Sequence, residues 1–443
     1  MDLIPQFGGL LWTLAAFVVA LSIIVAVHEY GHYIVGRWCG IKADVFSIGF
    51  GPVLASRVDR HGTRWQLAAL PLGGYVKFRG DANAASVGDD GSVATMTEAQ
   101  RAETMNGASL WRRAATVAAG PIFNFILSIL VFGAFVLVSG TAVEAPVVGE
   151  TKPMPAEVRL LEQGDLVVAV EGRPVETLQE LSEISRELPA AETITYEVAR
   201  GGGTVTVEAA PLMPARIETV NPRSAAWDIG LQENDVVRAI DGRPIHSFHE
   251  LQAAVAAGEG APLALDVWRA GEMLEFTLTP RSTDLPQPDG SFETRYLIGI
   301  TGGMFFDPQT ESAGPIEAMR YGVEQTIYIV RSSLSALTHI ATGAISTCNL
   351  SGPVGIAEVS GATASQGLDN FIWMIAVLST AVGLLNLFPI PVLDGGHLVF
   401  HAYEAVRGRP PSDGAVRVLM SVGIALMLTL MVFATFNDLI FCP

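Results

Sequence analysis

LIPQFGGLLWTLAAFVVALSIIVAVHEYGH, residues 3–32, is the segment that indicates the fold most directly. Its apolar part, Leu3 to Val27, carries no charged side chain and is longer than the roughly 20 helical residues that cross a bilayer. It lacks a basic segment in front, and its apolar run is too long for a cleavable signal peptide. The stretch therefore predicts a membrane-spanning helix that ends in a polar motif, His28-Glu-Tyr-Gly-His32.

Three further stretches of this kind follow along the chain, and none of them contains Asp, Glu, Lys or Arg. They are Ala114–Val138, Phe371–Leu393 and Val418–Asn437. Because each is long enough to span a bilayer as a helix, the sequence predicts an α-helical polytopic membrane protein. The four transmembrane helices are expected at 1–36, 114–138, 369–393 and 418–437.

Charge is distributed very unevenly. The 443 residues carry 27 Lys and Arg against 45 Asp and Glu, a formal net charge of −18. One insert, residues 140–365, holds 14 of the basic and 31 of the acidic side chains, and the rest holds 13 and 14. The insert is therefore expected in water. No nucleic-acid partner is expected, because no basic face is available to neutralise phosphates.

Basic residues in the short loops set the predicted orientation in the membrane. The loop at 37–113 holds ten Lys and Arg residues, the loop at 394–417 holds three, and the chain ends hold none. Both loops are therefore expected to be cytoplasmic. Both termini and the acidic insert are expected on the far side of the membrane.

The insert repeats itself at an offset of 70 residues. Leu161–Val175 aligns with Leu231–Ile245, and seven of the fifteen positions are identical. Each copy predicts a strand, a turn ending in Gly-Arg-Pro, a short helix and two closing strands. The pattern is similar to tandem α+β PDZ domains, at 143–212 and 213–282. PDZ domains bind an extended segment at a strand edge, but here the alternative that they only exclude bulky partners stays open.

Two segments follow the repeats. The first, 283–312, is rich in Pro and Gly and is predicted to be a linker. The second, 313–346, is predicted to be an amphipathic helix, lying either on the membrane surface or against a neighbouring domain. Its apolar residues, spaced by three and four, are Ile316, Met319, Val323, Ile327, Val330, Leu334 and Leu337.

The polar motif at the end of the first helix has the spacing of a metal site. Residues i and i+4 share one face of a helix, so His28 and His32 can present two imidazoles to one ion. Glu29 lies beside them, where it can take a proton from water. Ionisable groups in a membrane helix are costly and are functional candidates by default. The alternative is a frayed helix end whose polar side chains are simply solvated.

A zinc site needs a third protein ligand and an open position for water. The best candidate is Asp394, the first acidic residue after the third apolar stretch, in Asn386-LFPIPVL-Asp394-GGH. Two prolines and two glycines break the helix there, so the backbone can aim Asp394 at the first helix. A rival site would combine Asp394 with His397 and His401, but no glutamate stands beside that pair at the required position.

Residues 45–78 predict a β-hairpin. Val45–Phe50, Val53–Val58 and Thr63–Leu70 are strand-like, and Asp59–Gly62 reads as a turn. An ordinary cytoplasmic hairpin is the alternative to a membrane-associated one.

These motifs, taken together, resemble the site-2 protease family of intramembrane zinc metalloproteases, of the bacterial regulator of sigma-E protease type. The resemblance rests on HEYGH, on Gly49-Phe50-Gly51-Pro, on Gly120-Pro-Ile-Phe-Asn124, on the PDZ-like pair and on NLFPIPVLDGGH. It runs in order over nearly the whole chain. HExxH combined with a distant N-x-x-P-x-P-x-L-D-G, each at the end of an apolar stretch, is a specific pattern.

The resemblance implies one zinc ion per chain, with the site residues carried over from the family's motifs. His28, His32 and Asp394 match the zinc ligands, and Glu29 matches the general base. The hairpin resembles a membrane-reentrant sheet that pairs with extended substrate. The implied substrate-binding residues are Asn386, Gly49, Phe50, Gly51 and Asn124.

The resemblance also implies the substrates. These are single-pass membrane proteins already trimmed on the far side, such as anti-sigma factors, and signal-peptide remnants in the lipid bilayer. The activity would be regulated intramembrane proteolysis in envelope stress signalling, with the acidic insert as a gate against untrimmed substrates. Two other classes of function are a catalytically silent PDZ scaffold, which would not need Glu29, and a metal transporter, which large external domains fit poorly.

Overall fold

The computed structural model describes residues 3–81, 96–155, 161–287 and 291–441, without the side chains of residues 3–8, 72 and 286. Cys442, whose pairing with Cys348 the sequence leaves open, lies outside the described residues. The helices are α1 Leu3–Trp38, α2 Glu98–Arg101, α3 Leu110–Ser139, α4 Leu178–Glu187, α5 Ala225–Asp228, α6 Phe248–Ala257, α7 Pro315–Thr342, α8 Pro353–Ser365, α9 Leu368–Asn386, α10 Asp394–Arg407 and α11 Asp413–Phe436.

The described strands are short except for the first two. They are β1 Ala43–Val58, β2 Arg64–Phe78, β3 Thr141–Ala142, β4 Val148–Thr151, β5 Leu166–Val170, β6 Arg173–Pro174, β7 Ile194–Arg200, β8 Gly203–Ala209, β9 Ile217–Val220, β10 Val236–Ile240, β11 Arg243–Pro244, β12 Leu263–Arg269, β13 Glu272–Leu278, β14 Arg281–Pro286, β15 Phe292–Leu297, β16 Ile300–Gly302, β17 Phe306–Pro308 and β18 Thr310–Glu311.

The chain divides into two compact units. The first consists of residues 1–134, 316–342 and 347–443, and the second of residues 135–315 and 343–346. Among the described residues, four helical stretches of the first unit are long and apolar enough to cross a membrane: Gly9–Trp38, Leu110–Ser139, Leu368–Asn386 and Asp413–Phe441. Only a minority of the residues in their most apolar windows is buried within the protein, as expected of helices that face lipid.

The third apolar stretch is shorter as a helix than predicted. Helix α9 ends at Asn386, because Pro389 and Pro391 cannot continue a helix. A compact turn over 387–393 follows, and α10 begins at Asp394. The prediction of a transmembrane helix to residue 393 and a loop over 394–417 is therefore wrong, since most of that loop is α10. Helix α8 was not predicted either.

The hairpin is made of two long antiparallel strands, β1 and β2. Residues 45–48 lie opposite both 74–77 and 64–67, so each long strand bends and contributes two pairing segments. The bend in β1 falls at Gly49 and Gly51, whose φ angles of 90° and 83° suit glycine. In the part of the chain that the structure describes, the outer edge of 74–78 pairs with no strand.

Asp59, in the hairpin turn, links the hairpin to α1 through hydrogen bonds. Its carboxylate accepts hydrogen bonds from the Tyr33 hydroxyl at 3.1 Å and from Trp65 Nε1 at 3.0 Å. It also accepts from the backbone N–H groups of His61 and Thr63. Below the turn, Trp65 stacks on Phe46 and packs edge-on against Tyr33. These contacts fix the strands relative to the helix that carries the polar motif.

Helix α7 packs within the first unit, but not through the face that the apolar spacing predicted. The buried side is a stripe of mostly small residues at Ala318, Gly322, Thr326 and Ile329. Gly322 lies against the backbone of residues 129–133 in α3, so the two helices approach closely. Five of the seven residues on the predicted apolar face are exposed instead. The buried face is therefore the small-residue stripe, and the alternative that the apolar face lies on the membrane surface stays a prediction.

The two repeats in the second unit have the same topology. Their four-stranded sheets have the orders β6-β5-β7-β8 and β11-β10-β12-β13. Thr177 and Glu180 form a capping box at the start of α4, and Ser247 and Glu250 form one at the start of α6. Each repeat has its own apolar core. The duplicated sequence therefore folds into two copies of one unit.

The segment 283–312 is not a linker. It forms a hairpin, β14 with β15, and three more strands that complete the repeats. Strand β16 pairs with β9 of the second repeat, and β17 pairs with β4 of the first. Phe305 and Phe306 are fully buried in the core of the first repeat. The Pro and Gly residues that suggested a linker lie between these short strands, so the boundaries 143–212 and 213–282 omit part of each repeat.

Candidate metal centre

Two glycines let α1 and α3 cross closely beside the polar motif. A Cβ on Gly31 would lie 2.5 Å from the carbonyl oxygen of Ala119. A Cβ on Gly120 would overlap the imidazoles of His32 and His28. A side chain at either position would therefore clash. The two glycines allow the helix backbones to approach closely, as small residues do in membrane proteins. The crossing therefore holds both histidines against the backbone of α3.

The structure brings His28, His32 and Asp394 together. Asp394 Oδ2 lies 3.1 Å from His28 Nε2 and 3.4 Å from His32 Nε2, and the two Nε2 atoms are 3.2 Å apart. Zinc binds nitrogen and oxygen at about 2.0–2.1 Å in a tetrahedron, so its ligand atoms lie about 3.3–3.4 Å apart. The three separations match three edges of such a tetrahedron.

The donor set also fits a cation for an independent reason. Asp394 Oδ2 is buried and accepts no hydrogen bond, although two imidazole nitrogens are within 3.4 Å. An unsatisfied buried carboxylate oxygen is costly. A divalent cation among the three atoms removes that cost. Among the described residues, no other group of His, Cys, Asp and Glu has this arrangement.

Each histidine has a partner for its second ring nitrogen. His32 Nδ1 lies 2.9 Å from the carbonyl oxygen of Thr116, which can only accept, so Nδ1 carries the proton and Nε2 has a free lone pair. Asn124 Nδ2 lies 3.1 Å from His28 Nδ1, while Asn124 Oδ1 is buried without a partner. Exchanging the two amide atoms gives His28 Nδ1–H an acceptor as well. Both histidines are thereby oriented for metal binding.

Asn124 does not lie where the resemblance implied. It is fully buried in α3 behind His28 and does not line the cavity. The structure thus gives Asn124 no contact with this cavity, and a contact with substrate stays a prediction. Its place fits a residue that orients the imidazole of His28.

Glu29 lies between the histidines and the edge of the hairpin. The backbone N–H of Val76 faces its carboxylate. Gly74 allows this approach, because a Cβ there would lie 2.7 Å from the Ser47 carbonyl oxygen and 3.3 Å from Glu29 Cγ. The unpaired strand edge therefore runs past the group that is placed to accept a proton.

A cavity of about 1120 Å³ opens beside these residues within the first unit. Its wall includes His28, Glu29, His32 and Asp394, with Gly74, Tyr75 and Val76 of the hairpin and Asn386 at the end of α9. Of the predicted substrate-binding residues, only Asn386 lines it. Gly49, Phe50 and Gly51 lie at the bend of β1 outside this wall, where the Phe50 ring stacks on Tyr75.

The rival metal site is not formed. His397 and His401 line the same cavity, but they do not converge with Asp394 on one point. Asp394 is turned toward the first helix instead, because the turn over 387–393 starts α10 beside α1. Gly395 and Gly396 permit this turn, since a Cβ on either would collide with carbonyl oxygens of residues 387–390.

Comparison with known proteins identifies the family. Residues 16–430 match the model of peptidase family M50. The chain belongs to peptidase family M50. A putative zinc metalloprotease of Agrobacterium fabrum is 38% identical over 98% of this chain and 97% of its own length. The regulator of sigma-E protease RseP of Salmonella typhimurium is 32% identical over 97% of this chain and 99% of its own length.

Membership of the M50 family confirms the resemblance found in the sequence motifs. As an M50 peptidase the chain is a metalloprotease whose cofactor is zinc. Its four apolar helices fit a polytopic membrane protein of this family. A putative zinc metalloprotease of Vibrio cholerae, 33% identical over 97% of this chain and 98% of its own length, is a further relative.

Sequence reasoning missed several residues of this M50 site. Thr116 contributes a backbone carbonyl oxygen, which a pattern of side chains cannot predict. Gly120 appeared in the sequence only as the first residue of the Gly120-Pro-Ile-Phe-Asn124 motif, and Gly74 was not singled out at all. Tyr75 and Val76 reach the site because the hairpin bends. Residues 113, 401 and 404 also line the cavity, where the ion pair of Arg113 with Glu404 joins α3 to α10.

Proposed function

We propose that the protein hydrolyses a peptide bond in the transmembrane segment of single-pass membrane proteins, with zinc held by His28, His32 and Asp394. The observation that carries this proposal is the convergence of three ligand atoms with Glu29 and an unpaired strand edge on one cavity. The cavity lies among helices that are apolar enough to span a bilayer.

The strand edge at 74–78 addresses the first difficulty of this reaction. A transmembrane helix hides its amides in internal hydrogen bonds, so a substrate must unwind locally before its peptide bond is accessible. An unpaired edge can accept the freed segment as an additional strand and replace the lost hydrogen bonds. Val53 and Leu54, on the opposite arm of the hairpin, are exposed apolar side chains, as expected for a hairpin in contact with lipid.

Glu29 performs the proton transfers. A zinc ion bound by the three ligands supplies Lewis-acid chemistry, which polarises the scissile carbonyl and makes water a better nucleophile. The Glu29 carboxylate accepts a proton from the attacking water and delivers it to the nitrogen of the leaving amine. Thr116 and Asn124 keep the imidazoles in place, and Asn386 on the cavity wall is placed to bind the substrate backbone.

The proposed setting is the inner membrane of a bacterium, with the cavity toward the cytoplasm and the second unit in the periplasm. Basic residues in the two short loops support this orientation. The similarity to the Salmonella regulator of sigma-E protease supports substrates such as anti-sigma factors after a first cut, and a role in envelope stress signalling. Signal-peptide remnants are a second proposed substrate class.

We also propose that the two repeats are PDZ domains that restrict access by untrimmed substrates. Their identical sheet order, with a helix between the second and third strands in sequence, supports this assignment. Their acidity would keep them in water above the membrane.

Replacing Glu29 by Gln tests the proposal. The variant keeps the shape of the side chain but cannot accept the proton, so cleavage of a model transmembrane substrate should fall at least about 100-fold. Zinc content, measured by mass spectrometry on detergent-purified protein, should be unchanged. Asp394→Ala should lower the zinc content itself. If the zinc-loaded Glu29→Gln protein cleaves as fast as the wild type, the mechanism is wrong and a silent scaffold becomes the better description.

A further inference from the structure

The cavity continues along α10, beyond the residues that the proposed chemistry uses. Asp394, His397, His401 and Glu404 all line it. Their spacing of three, four and three residues places them on one face of the helix. The same face that offers a metal ligand at its first residue therefore carries a row of polar side chains along the cavity.

Arg113 of α3 forms an ion pair with Glu404, the last residue of this row. Its Nη2 lies 2.6 Å from Glu404 Oε1, and the two side chains are only 16% and 19% exposed. The ion pair leaves the cluster of Arg113, His401 and Glu404 nearly neutral. Burial, followed by the neighbouring guanidinium, lowers the pKa of His401 to about 4, so the imidazole is uncharged at pH 7.

Two polar atoms of this cluster lack partners. Arg113 Nε and His401 Nε2 are both buried and make no hydrogen bond within the described residues. Leaving such atoms unsatisfied opposes folding, and native proteins do so mainly where a ligand completes the set. Arg113 Nε–H is a donor, and a neutral imidazole offers either a donor or an acceptor at Nε2. An amide group, with a carbonyl oxygen and an N–H, satisfies both.

We propose that Arg113 and His401 form a subsite that binds an amide group of the substrate about three residues from the cleaved bond. From Asp394 to His401 the helix rises about 10 Å. An extended chain covers about 3.3 Å per residue, which gives the spacing of three residues. The amide is either a main-chain peptide group freed by unwinding or the side chain of Asn or Gln in the transmembrane segment.

The subsite has a clear use in a membrane enzyme. An unwound segment exposes peptide groups that find no water in the bilayer, and each unpaired group is costly. The strand edge at 74–78 satisfies groups beside Glu29. The cluster would satisfy a group farther along the cavity, where α10 rather than the hairpin forms the wall.

This inference rests on the proposed function, and a set of matched variants tests it. His401→Leu removes the polar atom at similar volume, and His401→Gln keeps a donor and an acceptor. Tyr403→Leu is the control, since Tyr403 lies on the same helix, is 41% exposed and does not line the cavity. The substrates are leucine-rich transmembrane peptides, unmodified or with one Asn at each of five positions on either side of the cleaved bond.

We expect His401→Leu to lower kcat/KM about tenfold, with His401→Gln partly restored and Tyr403→Leu unchanged. The zinc content of His401→Leu should equal that of the wild type, and its melting temperature should be equal or higher. A lower rate would then reflect a lost contact with substrate and not a loss of folded structure. If the amide is a main-chain group, every peptide is affected equally. If it is a side chain, only the peptide with Asn about three residues from the bond is affected.

Binding provides the second readout. The affinity of the same peptides for Glu29→Gln protein, with and without His401→Leu, is measured by fluorescence anisotropy in detergent. A weaker affinity with His401→Leu supports the subsite even if no peptide is cleaved, in which case only the proposed function fails. Equal affinities and equal rates, within twofold, for wild type and His401→Leu on all peptides overturn the subsite while the protease proposal stands.

Discussion

Gly120 of α3 lies directly against the imidazole of His32 on α1, with no space for even one methyl group. The same glycine also faces the ring of His28. Helix packing and the geometry of the metal site therefore depend on one another at this residue, because any side chain at 120 must displace a histidine or separate the helices.

Replacing Gly120 by Ala should disrupt the metal site. The added methyl group would push His32 away from Asp394, so the affinity for zinc should fall about 100-fold or more, and cleavage with it. Zinc retention during dialysis against a chelator measures the effect. Gly9→Ala, in the same pair of membrane helices but with open space around its Cβ, is the control and should retain zinc. Normal zinc binding by Gly120→Ala would contradict the observed crossing.

Replacing Asn124 should weaken the binding of zinc and leave the binding of substrate unchanged. Replacement by Ala leaves the Nδ1 of His28 without its partner, and loss of such a contact typically weakens metal binding about 10- to 100-fold. Asn124→Asp retains an acceptor and should bind zinc as well as the wild type. Chelator competition and KM are measured for both variants. A raised KM at unchanged zinc affinity would restore Asn124 to the substrate-binding residues.

The hairpin edge should contact substrate during turnover. In a Glu29→Gln background, a cysteine at Tyr75, which lines the cavity, should form a disulfide with a cysteine near the cleavage position of a bound peptide. A cysteine at Leu54, which is 68% exposed on the opposite arm, serves as the control and should not crosslink. Equal crosslinking at both positions would mean that the peptide does not bind along the edge at 74–78.

The first repeat should contain an acid-sensitive ion pair, Arg200 with Asp165. Arg200 Nε and Nη2 donate to the two oxygens of Asp165 at 2.7 Å, and Arg269 makes the same pair of bonds with Asp235 in the second repeat. Burial raises the pKa of Asp165, but the hydrogen bonds from Arg200 and the backbone of Glu162 outweigh it and hold the pKa below its usual value. This contribution to stability is complete above pH 4 or so and is lost as the pH falls further.

Arg200→Met should therefore destabilise the first repeat by about 1.5–3 kcal/mol at pH 7, because the buried carboxylate loses a charged hydrogen-bond partner. The difference from the wild type should shrink below pH 4. Pulse proteolysis in urea measures the free energy of unfolding. Arg173→Met, which breaks the exposed pair with Glu187, should change it by less than about 1 kcal/mol. A pH-independent difference would show that the Asp165 charge is not responsible.

The orientation in the membrane is tested by reporter fusions. Fusions at residue 250, in the second repeat, should report the periplasm, and fusions at residue 410, between α10 and α11, should report the cytoplasm. The reverse pattern would overturn the predicted topology and the side of the membrane to which the cavity opens.

The sequence was informative wherever a short pattern carries its own physical meaning. Charge-free stretches predicted the four apolar helices, because bilayer thickness fixes their length. The repeat predicted two similar folded units, and the HExxH spacing predicted that His28 and His32 share one face. It failed for 283–312, where three of the short strands, β16, β17 and β18, depend on pairing partners more than 70 residues away. For α7 the sequence predicted the helix and left its position open, and contact between small residues decided which face is buried within the protein.

Local composition and spacing were enough to predict the membrane helices, the duplicated unit and the residue types of a zinc peptidase. The folded molecule was needed to show that Asp394 Oδ2 lies within 3.4 Å of both histidines, that Gly120 and Thr116 contact the imidazoles, and that the hairpin edge passes Glu29. These relationships join residues that are far apart in the chain. Their distances are set by helix crossing and strand bending, which only the packed molecule fixes.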